Sequence, residues 1–334
     1  MLDLFARLTA EQRRALKKRE QPDWVTPMKA VLVREPFSDA DWIYELKLDG
    51  ERCIAYVRSG EVRLLSRNNK PMNSSYPEVV EALRRNARAD AILDGEVVAF
   101  KDGAPSFSRL QRRMHVKDPD AARATGIAVH FYVFDLVHLD GHDLSDLPLR
   151  ARKSLLKDSV VFEDPLRFMA HRNEAGEAYF EEVCAKPGWE GVIAKRADSA
   201  YRGTRSRDWL KFKCANEQEF VIGGYTEPQG SRTGLGALLI GYYDDGDLRY
   251  AGKVGTGYDQ ATLDMLSRRL GRIERRSSPF VDRVPAKGVH WVTPRYVAQI
   301  GFAEWTNDGR LRHPRYLGLR RDKKPREVVR ERPV

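Results

Sequence analysis

The run Glu45-Leu46-Lys47-Leu48-Asp49-Gly50-Glu51-Arg52 sets one lysine among carboxylates and a guanidinium within a few positions. A lysine amine attacks an electrophile such as phosphorus only when neutral, a form that desolvation or nearby cations favour. Carboxylates beside it then serve binding or a metal rather than neutralising the amine. Residues 43–49 alternate, so Ile43, Glu45, Lys47 and Asp49 share one face of a strand while Tyr44, Leu46 and Leu48 share the other. Gly50 ends that strand at a turn, and Arg52 returns a cation just beyond it. Taken alone, such a string is more often a solvated edge strand.

Further sets follow in order: Leu65-Ser66-Arg67-Asn68-Asn69, Leu93-Asp94-Gly95-Glu96, Tyr132-Val133-Phe134-Asp135-Leu136, Glu190-Gly191-Val192-Ile193-Ala194-Lys195, Trp209-Leu210-Lys211-Phe212-Lys213 and Arg320-Arg321-Asp322-Lys323. Each has an ordinary reading. Glu96 suits a strand end, Phe134 suits a sheet core, and Lys211 and Lys213 share a face with Trp209 as on any half-exposed strand. Lysines on one face also suit a triphosphate, whose oxygens need several point charges at once. In this order the sets resemble the motifs of the covalent nucleotidyltransferases, which comprise ATP-dependent DNA ligases, RNA ligases and messenger-RNA capping enzymes. Asn69 stands where many relatives carry glycine, a mild departure because Asn tolerates the left-handed conformation.

A formal net charge of +10 attracts polyanions. The basic runs at 13–19 and 320–330 read equally as solvated surface and as phosphate contacts. No apolar run reaches membrane-spanning length and the start lacks a secretory h-region, so a cytoplasmic protein is expected. Cys53, Cys184 and Cys214 lie far apart and are expected as small buried apolar residues, with neither zinc site nor disulfide. His138, Asp140, His142 and Asp143 suit a polar hairpin around Asp140-Gly141 better than a metal cluster. No G-x-x-x-x-G-K-[ST] loop occurs, and the glycine-rich 230–241 stretch leads into a strand pattern rather than a dinucleotide fingerprint.

The fold class expected is α+β in two domains. A short helix at 8–20 leads into mixed patterning over 1–217, the nucleotidyltransferase (adenylation) domain. Residues 218–334 then read as strands at 220–225, 235–243, 248–252, 289–293 and 296–306 with one helix at 260–275, the texture of a five-stranded OB-fold β-barrel.

Segments YTEPQGSRTGLGA (225–237), YAGKVGTG (250–257) and RHPRYLGLR (312–320) are similar to the ligase module of bacterial end-joining DNA ligases, a likeness running over 22–329. At this length the chain is expected to lack the polymerase and end-processing modules of multifunctional relatives and the large DNA-clasping domain of replicative ones. The resemblance implies ATP as substrate and Lys47 as the residue that carries AMP, passes it to a DNA 5′-phosphate and is followed by attack of a 3′-hydroxyl. It implies that Glu45 and Leu46 meet the adenine edge and that Phe134 covers its face. Arg52, Arg67, Glu96, Lys195 and Arg205 address ribose and phosphate, and Lys211 and Lys213 neutralise the reacting phosphorus. Arg320, Asp322 and Lys323 close over the β- and γ-phosphates. Glu96 and Glu190 hold Mg²⁺ or Mn²⁺. The resemblance also implies a monomer, nucleoid-associated in a bacterium, whose partners are nicked or broken duplex DNA and the Ku end-binding protein. An RNA-sealing ligase, a capping enzyme and a non-catalytic nucleic-acid-binding module are the alternatives, and the choice between nick and double-strand break stays open.

A terminal motif that closes on the departing pyrophosphate serves the first step alone. Lys323→Ala should therefore lose most self-adenylation yet keep much of its sealing of a pre-adenylated nick; equal losses in the two assays would contradict a closing second domain.

Overall fold

The computed structural model describes residues 3–114, 116–228 and 234–331. The chain divides into two compact units, the first ending at Cys214 and the second running over Ala215–Arg332. Gln229, Gly230, Ser231, Arg232 and Thr233 of the glycine-rich segment lie outside the described residues.

The first unit contains α1 (Ala10–Ala15), β1 (Lys29–Leu32), β2 (Trp42–Lys47), β3 (Glu51–Arg58), β4 (Glu61–Ser66), α2 (Pro77–Asn86), β5 (Ala91–Val98), β6 (His130–Leu139), α3 (Leu149–Ser159), β7 (Leu166–Phe168), β8 (His171–Asn173), α4 (Gly176–Cys184), β9 (Gly191–Arg196) and β10 (Arg205–Lys213). Two sheets form from these. One runs β6–β5–β3–β4, with β7 parallel on β6; the other runs β8–β2–β9–β10–β1. Period-two alternation sorts their faces. Cys53, Ala55 and Val57 of β3 enter the core under α2 and α3, while Ile54 and Tyr56 turn to a second cluster with Phe134, Leu48 and Trp209. Tyr44, Val192, Ala194 and Phe212 face outward from the second sheet onto Tyr179 and Val183 of α4. The candidate site thus falls in the layer that takes Trp209 from one sheet and Phe134 from the other.

Three local expectations change. The first helix keeps a capping box, Thr9 with Gln12, but ends at Ala15, because Lys17 and Lys18 leave it to pair with Asp143 and His142. The lysine strand ends at Lys47, so Leu48 joins the interior cluster with Phe134 instead of following Tyr44 outward. Cys184 and Cys214 form a disulfide, contrary to the reading of buried thiols; the end of α4 returns onto the end of β10 and brings their Cα atoms to 5.1 Å. Cys53 alone is the buried free thiol. Asp140 and Gly141 make the expected tight hairpin turn, with φ of 44° and 73°, and Asn69 adopts φ 57°.

The second unit contains β11 (Asn216–Thr226), β12 (Leu238–Asp244), β13 (Asp247–Val254), α5 (Gln260–Gly271), β14 (Val289–Val292), β15 (Val297–Phe302) and β16 (Arg315–Arg320). β11 is the centre of this sheet. Its first half pairs with β15 and its second half with β12 and β14, and β16 continues outward from β15. Among the described residues no backbone ladder joins β13 to β16, so the OB-like sheet is not closed by hydrogen-bonded strands. The Arg310 guanidinium donates to the Tyr250 carbonyl of β13 instead. Leu263, Leu266 and Leu270 of α5, at helical spacing, fill the core against Phe220, Ile222 and Ile240.

Gly95 sits where β5 crosses β6 most closely: a Cβ there would lie 2.5 Å from both Phe131 Cε2 and the Tyr132 carbonyl oxygen. Gly95→Ala should cost about 1–3 kcal/mol of stability by overpacking; an unchanged melting temperature would show that β5 and β6 part without penalty.

Candidate active site

Strand register builds the site. Across β2, β9 and β10, Lys47 lies opposite Gly191 and Gly191 opposite Lys213; one step inward Glu45, Ile193 and Lys211 align; a further step aligns Ile43, Lys195 and Trp209. Gly191 suits the close crossing, with φ 145° and a notional Cβ 1.9 Å from the Phe212 carbonyl oxygen. Lys47 Nζ pairs with Glu190 Oε1, so the carboxylate expected for binding or a metal meets the amine directly. Glu190 is also held through its backbone, whose carbonyl accepts from Cys214 N at 3.0 Å. For Lys47 to act as the expected nucleophile, the pair with Glu190 would have to open.

The inner end is dry. Glu45 is buried between two ammonium groups, Lys153 Nζ at 2.5 Å on Oε1 and Lys195 Nζ at 2.7 Å on Oε2. Burial would raise the Glu45 carboxyl, but the two lysines outweigh it and hold the group below its usual range. Lys195 is brought down to about 8, first by burial. Its ammonium lies 4.1 Å from the Phe134 ring centroid and 4.0 Å from that of Trp209. Leu46 is shared between the interior and the α4 clusters.

Arg52 is fixed from the other sheet. Its Nε and Nη2 donate to Asp94 at 2.5 and 2.6 Å, and Tyr201 Oη donates to the same carboxylate at 2.7 Å. Burial works against the charged guanidinium, yet Asp94 more than compensates and raises its pKa. The Arg52 Cζ lies 4.5 Å from the Phe134 centroid. Glu96 stands directly across from Arg52 in the β3–β5 ladder. Arg67 follows β4 in a turn where the Ser66 hydroxyl accepts from the backbone of Asn68 and Lys70. Among the described residues no group of three or more His, Cys, Asp or Glu could hold a metal ion.

Other expected residues lie elsewhere. Arg205 opens β10, six positions from Lys211 or about 20 Å of strand, and donates to the Ala30 carbonyl at 2.8 Å. Arg320, Asp322 and Lys323 belong to the second unit, where Arg320 pairs with Asp322 at 2.9 Å and Lys323 with Glu219 at 2.9 Å.

Residues 27–213 match the model of the ATP dependent DNA ligase domain, and residues 231–323 that of the ATP dependent DNA ligase C terminal region. The chain belongs to the ATP-dependent DNA ligase family. It is 41% identical over 326 residues to a multifunctional non-homologous end joining protein LigD of Pseudomonas aeruginosa, covering 95% of this chain and 38% of that protein. A multifunctional non-homologous end joining DNA repair protein LigD of Mycobacterium tuberculosis is 39% identical over 87% of this chain and 38% of its own. The chain therefore spans about two fifths of the length of these curated relatives. A solved mycobacterial DNA ligase D complexed with ATP and MES is 36% identical, with a TM-score of 0.65 over 92% of this chain and 98% of that one.

Sequence reasoning missed Lys153, Asp94 and Tyr201 as partners within this site. Asp94 was inside a motif, but its contact with Arg52 depends on β3 lying beside β5. Lys153 stood in the basic helix segment LRARKSLLKDS, where a lysine reads as solvent-facing. His171, opposite Glu45 on β8, is the further surprise: burial, then the neighbouring Lys153 ammonium, push it from the usual 6.5 down to about 4. The folded protein then holds fewer protons than the unfolded chain between these values, so the stability from a neutral His171 is complete above pH 6.5 and is lost as pH falls toward 4. His171→Gln should flatten the decline of melting temperature across that window, and the ring resonances of His171 should titrate near pH 4; an ordinary midpoint would remove the effect.

Proposed function

We propose that the chain is the adenylating and sealing unit of a bacterial DNA end-joining ligase, with Lys47 as its nucleophile. The observation that carries this reading is the register that sets Lys47, Gly191 and Lys213 side by side on three adjacent strands, with Glu190 against Lys47. A nucleophile at a strand end, beside a row of cations, is built for attack on a polyphosphate.

In the first step the Lys47 amine attacks the ATP α-phosphorus, a P–N bond forms, and the P–O bond to pyrophosphate breaks. Lys211 and Lys213, one face of β10, meet the charge that develops. A DNA 5′-phosphate oxygen then displaces the lysine from AMP, and a 3′-hydroxyl finally displaces AMP from the DNA. Glu190 and Glu96 are the carboxylates that would hold Mg²⁺ or Mn²⁺; an ion that takes one or two carboxylates and completes its shell with phosphate oxygens and water fits a site without a third acidic or imidazole ligand. When bound, it would draw Glu190 off Lys47 and offset phosphate charge. The names of the LigD relatives, which include non-homologous end joining, support broken duplex DNA as substrate; a Ku-type end-binding partner and the bacterial cytoplasm belong to the same proposal. Among the described residues no helix is long and apolar enough to cross a membrane.

Incubation with α-labelled ATP followed by denaturing electrophoresis should leave label on the wild-type chain and none on Lys47→Ala. Lys47→Arg should be as inactive as the alanine variant, because a guanidinium keeps its proton and cannot attack phosphorus. The adduct should be labile to acid and resistant to alkali, and its chase onto nicked DNA, onto DNA with a ribonucleotide 3′ end and onto nicked RNA should favour DNA. Label surviving in Lys47→Ala would move the nucleophile elsewhere.

A further inference from the structure

We infer that the Lys195 ammonium and the nucleobase exchange for one place on the Phe134 ring, and that Lys153 is the positioning residue that keeps Glu45 aimed and charged through the exchange. The inference rests on the adenylating reading above and adds how the base gains entry and how it is told apart.

Phe134 is covered by two cations, Lys195 Nζ at 4.1 Å and Arg52 Cζ at 4.5 Å from its centroid. A base stacked on this ring needs the same few ångströms above it that an ammonium takes. One cation must yield. Arg52 donates two hydrogen bonds to the fully buried Asp94, whose carboxylate also accepts from Tyr201. Lys195 has a single ionic partner, Glu45 Oε2 at 2.7 Å. The indole Nε1 of Trp209, directly across the ladder from Lys195, is a buried donor with no acceptor among the described residues. A buried donor left unsatisfied at 2% exposure marks a place made for something that accepts. Lys195 is therefore the cation that moves.

Its departure uncovers Glu45 Oε2 while Oε1 stays with Lys153, whose Nζ also donates to the Met169 carbonyl at 3.0 Å and the Phe134 carbonyl at 3.5 Å. The Phe134 carbonyl ties the ammonium to the very strand that carries the stacking ring. An exocyclic amine, as on adenine, can donate to the uncovered oxygen; the carbonyl at the same position of guanine sets acceptor against carboxylate. Without Lys153, Glu45 would be left buried and alone once Lys195 moved, and would take up a proton. The groups facing Glu45 are Lys153 from α3, Lys195 from β9, His171 from β8 and Tyr179 from α4, with Asp135 of β6 acting on Lys195.

The test uses the full chain carrying Lys47→Ala, so that no adduct forms, with adenosine and guanosine as probes that lack phosphate. In ¹⁵N-lysine magnetic resonance, saturating adenosine should move the Lys195 titration up from about 8 toward the ordinary lysine range; an unmoved midpoint at saturation overturns the exchange. Calorimetry should show guanosine at least about tenfold weaker, and equal affinities overturn the role of Glu45. Lys153→Met should bind adenosine about tenfold more weakly at neutral pH and recover as pH rises, whereas Lys153→Arg should retain most affinity. A Lys153→Met profile parallel to that of the parent overturns the positioning role, and the resonance arm decides the exchange without any substitution near Glu45. Absence of adenosine binding overturns the inference, while retention of label from ATP on the wild-type chain separately decides the reading beneath it.

Discussion

Taking a carboxylate out of water costs several kcal/mol unless opposite charge meets it, and Glu45 is 1% exposed. That constraint organises the first unit. Lys153 must reach Glu45 from α3 and Lys195 from β9, which requires β2 beside β9 and the helix against both. The same requirement recurs where Arg152 holds Asp135, both fully buried, and where Arg52 holds Asp94. Removing one partner of such a pair typically costs about 3–5 kcal/mol, because the other is left charged in a dry interior. The motif residues are thus structural ties as well as chemical groups.

Water access divides the site along its strands. The side chains of Lys47 and Glu190 keep 17% and 13% exposure, against 2% each for Lys195 and Glu45. The wetter end suits a polyanion that arrives with its charge and leaves as pyrophosphate. The dry end, walled by Phe134 and Trp209 at right angles, suits a flat aromatic read by a few fixed polar groups. Neither end requires the backbone to move, since both are set by one antiparallel register.

The second unit handles positive charge differently. Arg310 lies over Tyr250, Arg326 over Tyr243 and Arg330 over Trp305, each guanidinium within 4.7 Å of a ring centroid. A ring holds a cation in place without cancelling it, at about 0.5–1 kcal/mol for an exposed pair. Such arginines keep their charge for the surroundings, in keeping with the net +10 of the chain and its attraction for polyanions.

By itself the sequence determined the strand that carries Lys47, the two-part organisation, the order of motifs and most elements of the second unit. Those features are local or periodic: alternation places Glu45 and Lys47 on one face, and Asp140-Gly141 can only turn. Tertiary structure alone decided which distant groups meet. Lys153 reads as a solvated helix lysine until α3 is laid against β2, and Cys184 and Cys214 read as unrelated until α4 folds back on β10. The end of the strand at Lys47, which turned Leu48 inward, likewise followed from packing around Gly50, where the Val97 carbonyl leaves no room for a side chain. Periodicity records which face a residue takes; it carries no record of what the chain later brings to that face, and the energy of a buried charge depends on that second fact.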